Sequence, residues 1–346
     1  MKTIILTGGG TAGHCTPHFA VIPYLEEHFD QIIYVGSKNG IEKTLTKNYG
    51  LPYYEIPTVK LDRSKRLSNL KIPFILLKSI SESKKILKEV NPSVVFSKGG
   101  YVGLPLTIAS HELKIPTVIH ESDLTIGLAN KIASNFSDLT LTSFEKTASA
   151  IKNGRCVGSP IRDELFSVSK SQALRYYGIT GEKPTLLITG GSSGAKFIND
   201  LTIFCLDELL KTFNVLHLVG KGNLTNTKIH GYYQIEFTDM KYAYNATDIC
   251  ISRAGSNTAF ELIALKIPTL FIPLPKGASR GDQIDNAKYF SNLNLCKFCL
   301  QENLTPSTFI QQIYELYASK DKLKESLNEQ NISSGNKIIA KILSTY

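Results

Sequence analysis

The sequence predicts an α/β protein built from two mostly parallel sheets. Short apolar runs alternate with longer segments of helical periodicity, which is typical of βαβ units. At 346 residues, the chain is long for one hydrophobic core and suits two domains. The run 4–7 ends in Gly8-Gly9-Gly10, and the run 186–189 ends in Gly190-Gly191. Because both halves open on a strand, a glycine turn and a helix, we expect two Rossmann-like, doubly wound domains facing a central cleft.

We predict strands where short apolar runs are bounded by turn residues. In the first half these runs are residues 4–7, 31–35, 93–97, 117–120 and 139–142. In the second half they are residues 186–189, 215–219, 249–252, 269–273 and 296–300. Gly158-Ser159-Pro160 lies between the two sets and has the composition of a linker. We therefore predict one domain at residues 1–160 and a second at residues 161–325.

Composition excludes several classes of protein. With 42% apolar and 20% charged residues, the chain is neither disordered nor collagen-like. Its apolar runs are too short to span a membrane, and the first of them suits a strand better than a signal peptide. The six cysteines are mostly far apart in sequence. We therefore expect a reducing, cytoplasmic environment.

The basic excess points to an anionic partner. The chain carries 39 basic and 30 acidic residues, and residues 58–88 alone hold nine basic side chains, among them Lys60, Arg63, Lys65 and Arg66, against two acidic ones. Basic and apolar residues alternate there at nearly helical spacing, which suits a helix lying on an anionic membrane surface. A solvated face of an ordinary helix is the alternative. The sequence has none of the usual nucleic-acid-binding motifs, so we do not expect a nucleic-acid partner.

Several glycine clusters follow predicted strands. Residues 8–13 match the G-x-G-x-x-G pattern, in which the backbone and the start of a helix attract phosphate. A dinucleotide is disfavoured, because the next strand ends without a carboxylate for the ribose. Further clusters lie at residues 98–103, 190–194 and 253–257. Several such turns at the carboxyl ends of strands indicate a phosphorylated ligand rather than unrelated tight turns.

The cluster at residues 253–257 makes the most specific prediction. It starts a helix that we expect to be capped by Ser256 or Asn257. A nucleotide diphosphate at that helix N-terminus, near Gly255 and Ser256, would place Glu261 within reach of a ribose. The alternative for Glu261 is a surface carboxylate.

Six blocks, taken together, resemble those of the MurG family. They are residues 9–14, 99–102, 120–123, 158–162, 190–195 and 253–261, with Asp282-Gln283 and Asn286-Ala287 after the last. Members of that family are peptidoglycan N-acetylglucosaminyltransferases that convert lipid I into lipid II. The resemblance implies a GT-B fold and an inverting transfer from UDP-N-acetylglucosamine. Such a transfer requires no metal, and the sequence has no Asp-x-Asp pair at a predicted strand end, so we expect neither a metal nor a cofactor.

The resemblance also implies the setting of the enzyme. The acceptor, lipid I, is an undecaprenyl-diphosphate lipid, so the protein would lie peripherally on the cytoplasmic side of the cell membrane. The first domain would bind acceptor and membrane, and the second would bind UDP-sugar. Residues 326–346 would form a terminal helix that packs back on the first domain. Other enzymes of cell-wall synthesis are implied partners.

The matching blocks assign roles to individual residues. Thr11, Ala12 and Gly13 would lie beside the donor sugar and the acceptor diphosphate. Arg162 would help hold the donor, and Ser192 its diphosphate. Glu261 would bind the ribose hydroxyls, Gln283 the sugar hydroxyls, and Phe237 would pack near the uracil. The sequence departs from the family at Ala12, Asp123, Ser193 and Asp282. Asp123 matters most, since it places a carboxylate near the sugar.

His14 is the candidate catalytic base. The reaction needs a group that removes the acceptor hydroxyl proton, and a neutral imidazole has a suitable pKa. The alternatives are that His14 only binds the acceptor diphosphate or caps its helix, and that Asp123 or Glu121 is the base. Zinc at His14 and His18 is disfavoured, because the sequence offers no third ligand nearby.

Three functions remain open on the sequence alone. The first is transfer of N-acetylglucosamine to lipid I. The second is another GT-B enzyme that uses a UDP-sugar, either a lipid glycosyltransferase or a sugar-nucleotide epimerase. The third is a non-catalytic scaffold at the membrane surface.

Overall fold

The chain forms two compact units in a computed structural model. The first comprises Met1–Arg162 and Ser334–Tyr346, and the second Asp163–Ser333. The structure describes residues 1–58, 71–191, 194–277, 279–330, 332 and 334–346. Ser192 and the basic residues at 60–66 lie outside the described residues.

Each unit is built on one parallel sheet, as predicted. In the first unit, the strand order is β3-β2-β1-β4-β5-β6-β7, and the described strands are β1 Thr3–Thr7, β2 Gln31–Ser37, β3 Tyr53–Ile56, β4 Val94–Ser97, β5 Thr117–Glu121, β6 Leu139–Thr142 and β7 Gly154–Cys156. In the second, the order is β10-β9-β8-β11-β12-β13, and the described strands are β8 Thr185–Thr189, β9 Asn214–Leu218, β10 Tyr232–Ile235, β11 Ile249–Ser252, β12 Thr269–Phe271 and β13 Lys297–Phe298. In both sheets the order reverses beside the first strand, which is the usual place for a ligand.

Helices connect the strands. In the first unit the described helices are α1 Thr16–Leu25, α2 Ile41–Asn48, α3 Ile72–Val90, α4 Gly100–Glu112, α5 Leu128–Ala133, α6 Glu145–Ser149 and the C-terminal α15 Asn336–Leu343. In the second they are α7 Lys170–Tyr177, α8 Lys196–Phe204, α9 Leu206–Thr212, α10 Met240–Asn245, α11 Ser256–Ala264, α12 Asp282–Asn292, α13 Pro306–Ala318 and α14 Lys320–Glu329. Within the described ranges, we find no helix with the length and apolar character needed to cross a membrane.

Successive side chains of a central strand point to opposite faces of the sheet, so apolar strands build a hydrophobic core on each face. Ile4 and Leu6 point to one face, where they pack in the cluster that includes Leu343 of α15. Ile5 points to the other face and joins the cluster that includes Leu106 of α4. These side chains are fully buried, so β1 is fixed on both faces. Its carboxyl end therefore presents the following glycine turn from a rigid support.

The sequence analysis did not predict three of the strands, and all three lie at sheet edges. These are β3, β7 and β10. Most of their residues are only partly buried, so they lack the continuous apolar run that marks a central strand.

The predicted terminal helix begins later than expected. Helix α14 ends at Glu329 in the second unit, and α15 begins only at Asn336. Asn336 is buried and binds Ile161 with both ends of its amide: Oδ1 accepts from the Ile161 N–H at 3.2 Å, and Nδ2 donates to the Ile161 carbonyl at 2.7 Å. Helix α15 packs against α1 within the first unit.

We expect the second unit to lose stability in acid because of His217. This side chain is fully buried, with Nδ1 2.9 Å from Tyr232 Oη and Nε2 3.1 Å from Asn199 Oδ1. Burial lowers the pKa of His217 from 6.5 to about 4. The unfolded state therefore binds more protons between these values, and stability falls as the pH drops below 6.5.

Urea denaturation at pH 7 and pH 5 tests this expectation. Between these pH values His217→Gln should lose about 2 kcal/mol less stability than the wild type. Equal losses in the two proteins would show that His217 does not contribute to the acid sensitivity.

Candidate active site

The glycine turn after β1 needs glycine for two separate reasons. Gly8 and Gly10 have φ values of +149° and +86°, which other residues rarely adopt. In addition, a Cβ on Gly10 would lie 2.4 Å from the Tyr101 ring. The turn leads into a short 3-10 helix, Ala12–His14, on which Gly13 is exposed, as is Thr11 just before it. The predicted donor and acceptor residues of this turn therefore include two that solvent can reach.

A buried carboxylate lies directly beneath this turn. Glu42 of α2 accepts hydrogen bonds from the Gly10 N–H at 3.2 Å, from the Ser37 N–H at 3.0 Å and from the Ser37 hydroxyl. A Cβ on Gly9 would lie 2.5 Å from the Glu42 carboxyl carbon. Because the Gly10 N–H is already bound, it does not serve a phosphate. The phosphate-binding role predicted for this turn stays a prediction for its other residues.

His14 ends the 3-10 helix and has an assignable tautomer. Its Nδ1 lies 3.2 Å from the Lys98 carbonyl oxygen, which can only accept, so Nδ1 carries the proton. Nε2 then has the lone pair of the neutral ring. Burial lowers the pKa of His14, Glu121 and Asp123 raise it, and Lys98 lowers it. The net direction is downward, so the imidazole is neutral and basic at pH 7.

Lys98, at the end of β4, carries a buried ammonium group that sequence reasoning missed. Nζ lies 2.6 Å from His120 Nδ1 and 2.6 Å from Ser122 Oγ. His120 Nε2 lies 3.1 Å from the Gly158 carbonyl oxygen, so Nε2 donates there and Nδ1 accepts from Lys98. Burial lowers the pKa of Lys98 to about 7, although Glu121 and Asp123 raise it.

Glu121 orders the loop after β5. Its Oε1 accepts from the Asp123 N–H at 2.9 Å, and its Oε2 accepts from the Gly127 N–H and from Asn130 Nδ2, each at 2.9 Å. With both oxygens engaged and the side chain buried, Glu121 is poorly placed to remove a proton from a substrate. Asp123 is partly exposed and acts electrostatically on His14.

In the second unit, the turn after β11 starts helix α11. The N-cap is Gly255, whereas the sequence predicted Ser256 or Asn257. Ser256 is instead the first helical residue, and it is buried. The turn is held from behind by Arg253, whose guanidinium donates to the Ile272 and Pro273 carbonyls at 2.9 and 3.1 Å.

Glu261 lies on α11 with an oriented carboxylate. The Tyr244 hydroxyl donates to Glu261 Oε2 at 3.1 Å, and Glu261 is partly buried. Glu261 is therefore not a freely solvated surface carboxylate, and its role in ribose binding stays a prediction. Sequence reasoning missed Tyr244, which comes from a different helix, α10.

Gln283 and Phe237 differ in how they are held. Gln283, the second residue of α12, accepts a hydrogen bond at Oε1 from the Leu274 N–H at 3.1 Å, which leaves its NH₂ group as the remaining donor. Phe237 follows β10 and is 56% exposed, as a side chain that packs on a ligand would be. Arg162 is the last residue of the first unit's main segment.

The predicted residues therefore cluster within each unit at the carboxyl ends of strands. Thr11, Gly13 and His14 follow β1, and Asp123 follows β5. Gly255, Ser256 and Glu261 follow β11, and Gln283 lies beyond β12. In the part of the chain that the structure describes, no group of three or more His, Cys, Asp or Glu side chains is placed to hold a metal ion.

Both halves of the chain match one glycosyltransferase family. The N-terminal domain of glycosyltransferase family 28 matches residues 4–142, and the C-terminal domain of that family matches residues 185–342. The crystal structure of Acinetobacter baumannii MurG aligns with a TM-score of 0.77 at 24% identity, covering 100% of both chains. Two parallel α/β units and this alignment establish the GT-B fold.

Relatives match over nearly the full length. Two of them are named UDP-N-acetylglucosamine–N-acetylmuramyl-(pentapeptide) pyrophosphoryl-undecaprenol N-acetylglucosamine transferase. The Clostridium botulinum (strain Alaska E43) protein is 44% identical over 98% of this chain and 97% of its own length. The Clostridium tetani (strain E88) protein is 41% identical over 100% of this chain and 98% of its own. From the two domain matches and these full-length relatives, we conclude that the chain belongs to the MurG family of glycosyltransferase family 28.

Proposed function

We propose that this protein transfers N-acetylglucosamine from UDP-N-acetylglucosamine to the muramoyl hydroxyl of lipid I, which gives lipid II for peptidoglycan synthesis. One observation carries the proposal: in a chain whose full-length relatives are named for this transfer, His14 is neutral and anchored, with Nε2 as its basic nitrogen. A base of this kind is what the reaction requires.

The chemistry is a direct displacement at the anomeric carbon. The acceptor hydroxyl oxygen bonds to C1 of the sugar while the bond from C1 to the UDP oxygen breaks. The hydroxyl proton passes to His14 Nε2, and UDP leaves with the bonding electron pair. Attack opposite the leaving group inverts the α-linked donor to a β-glycoside.

The second unit offers groups for the departing UDP. The N-terminus of α11 at Gly255 and Ser256 would stabilise the diphosphate through its backbone N–H groups. By the family resemblance, Ser192 would bind the donor diphosphate and Arg162 would help hold the donor, whereas Thr11, Ala12 and Gly13 would lie beside the donor sugar and the acceptor diphosphate. Gln283 would donate its NH₂ group to sugar hydroxyls, and Phe237 would pack near the uracil.

The competing functions are tested by one assay. A scaffold needs neither the anchored His14 nor the oriented Glu261, and a sugar-nucleotide epimerase acts without a lipid acceptor. We expect labelled N-acetylglucosamine to move from its UDP form to lipid I. UDP-sugar binding without transfer to lipid I would reject the proposal in favour of another GT-B activity, and absence of both would favour the scaffold.

Glu261→Ala should raise KM for UDP-N-acetylglucosamine about tenfold to hundredfold, because it removes hydrogen bonds from ribose hydroxyls to a charged group. KM for lipid I should stay near the wild-type value. Tyr244→Phe should give a smaller increase, since it removes one hydrogen bond that orients the carboxylate and keeps the carboxylate itself. Steady-state kinetics with each substrate varied in turn measures both effects. Glu325→Ala, which removes an exposed carboxylate of the same unit, is the control, and an unchanged donor KM in Glu261→Ala would contradict the assignment.

Helix α3 is the proposed membrane-docking element on the cytoplasmic side. Phe74 and Leu77 near its amino-terminal end are 76% and 65% exposed, although large apolar side chains usually avoid water. Lys71 and Lys78 beside them are also exposed. Apolar side chains flanked by cations match the requirements of an anionic lipid surface.

Replacing both Phe74 and Leu77 with serine should reduce co-sedimentation with vesicles of phosphatidylglycerol and phosphatidylethanolamine. The reason is that the variant loses the apolar area that would enter the lipid. Phe204→Ser is a matched control, because Phe204 is equally exposed, at 76%, but lies in the second unit. If the control lowers vesicle binding as much as the double variant does, α3 is not the docking element.

A further inference from the structure

Lys98 directly follows β4 and lies beside the carboxyl ends of β1 and β5. Its N–H donates to the Thr7 carbonyl at 2.9 Å, which extends the pairing of β4 with β1 by one residue. A Cβ on Gly8 would lie 3.2 Å from Lys98 Cβ, so the turn passes close to the lysine stem. Its ammonium reaches Ser122, which follows β5. Lys98 thus contacts the turn after β1 and the loop after β5 at once.

The two ends of Lys98 hold different partners. Its backbone carbonyl accepts from His14 Nδ1, and its ammonium binds His120 and Ser122. The residue is only 1% exposed, so the ammonium is removed from water. Among the described residues, no carboxylate forms an ion pair with Lys98, and Glu121 and Asp123 act on it only at longer range. A buried cation held by two neutral acceptors is costly, so burial lowers the pKa of Lys98 to about 7 and the side chain carries its full charge only below that pH.

The charge of the Lys98 ammonium influences the pKa of His14. The titratable groups that act on His14 or respond to it are Lys98 after β4, Glu121 and Asp123 at the end of β5, and His18 of α1. Both carboxylates favour protonation of the imidazole. The charge of Lys98 opposes them and lowers the pKa of His14, whereas the hydrogen bond from His14 to the Lys98 carbonyl raises it.

We infer that Lys98 is a positioning residue for the transfer reaction: its carbonyl presents His14 with Nε2 as the basic nitrogen, and its ammonium offsets the neighbouring carboxylates and holds Ser122. The inference rests on the proposed function of His14 as the base. Lys98 contacts no substrate in this scheme, so it acts through His14.

Histidine NMR tests the effect on His14 without any substrate. In protein carrying ¹⁵N-labelled histidine, the His14 signal is assigned by its loss in His14→Ala. The wild type should show the tautomer with the proton on Nδ1. In Lys98→Met, which keeps the length of the side chain but removes the charge, the pKa of His14 should rise by about one unit. Lys98→Gln removes the same charge but keeps a donor for Ser122, so it serves as a second variant, and circular dichroism shows which of the two is folded.

Kinetics supplies the second measurement. Protonation of the base reduces the rate in acid, so the acidic limb of the kcat profile should move to higher pH by about one unit. The loss of activity should approach about tenfold only at pH values well below the pKa of His14 in the wild type. KM for UDP-N-acetylglucosamine should not change. Lys146→Met, at an exposed position on α6, should have the wild-type profile.

The outcomes separate the two proposals. A folded Lys98 variant in which neither the pKa of His14 nor the acidic limb moves would overturn the inference, even if kcat fell. If the wild type transfers no sugar to lipid I but the variant still shifts the His14 signal, the proposed function fails while the effect of Lys98 on His14 stands.

Discussion

His14→Ala should lower kcat for transfer to lipid I by about 10²–10⁴-fold, the usual contribution of a general base. The physical reason is local: the bond from Nδ1 to the Lys98 carbonyl leaves Nε2 as the basic nitrogen, and burial lowers the pKa of the ring, so the ring is neutral at pH 7. KM for UDP-N-acetylglucosamine should change little, because the donor groups lie mostly in the second unit. Steady-state kinetics at saturating lipid I measures the loss.

The pH profile distinguishes a base from a binding group. A base must be unprotonated, so the wild-type rate should fall as the pH drops through the lowered pKa of His14, below the ordinary histidine value of 6.5. His14→Ala should lose this acidic limb. His28→Ala, which removes an exposed histidine of the same unit, should keep both the rate and the limb. A His14→Ala protein with near-normal kcat would show that His14 is not the base, and Asp123 would become the candidate.

The central strands were predicted correctly because a strand that is buried on both faces has a continuous apolar sequence. Ile4, Ile5 and Leu6 are apolar without a gap. Gly8 and Gly10 after β1 and Gly191 after β8 have backbone angles that few other residues tolerate. Edge strands lack such a continuous apolar run. Gly154–Cys156 contains a glycine and an exposed arginine, so only its pairing with β6 identifies it as a strand.

The candidate site was predictable where function lies in a contiguous motif. His14 and Asp123 stand within such blocks. Residues that reach the site from elsewhere in the chain were missed: Glu42 lies 32 positions from the Gly10 N–H that it binds, and Tyr244 lies 17 positions from Glu261. Lys98 stood inside a glycine cluster, but its importance comes from the burial of its ammonium, and no one-dimensional pattern shows burial.

Glu42→Ala should destabilise the first unit by at least about 3 kcal/mol, because it leaves three donors without an acceptor and each costs about 1–3 kcal/mol when buried. Those donors are the Gly10 N–H and the N–H and hydroxyl of Ser37. Urea denaturation measures the loss. Glu55→Ala is the matched control, since Glu55 pairs with Lys43 at the surface, and such exposed pairs contribute about 0–1 kcal/mol.

The same substitution should also reduce catalysis, because Glu42 sets the conformation of the turn that carries His14. Gly10 would lose the hydrogen bond from its N–H to Glu42. The backbone that leads from Gly10 into the 3-10 helix of His14 would then be less well fixed. Glu42→Gln keeps one carbonyl oxygen that can accept from Gly10 or Ser37, so it should lie between the wild type and Glu42→Ala in both stability and kcat. A Glu42→Ala protein as stable and as active as Glu55→Ala would show that the turn is held by its glycines and by Tyr101 alone.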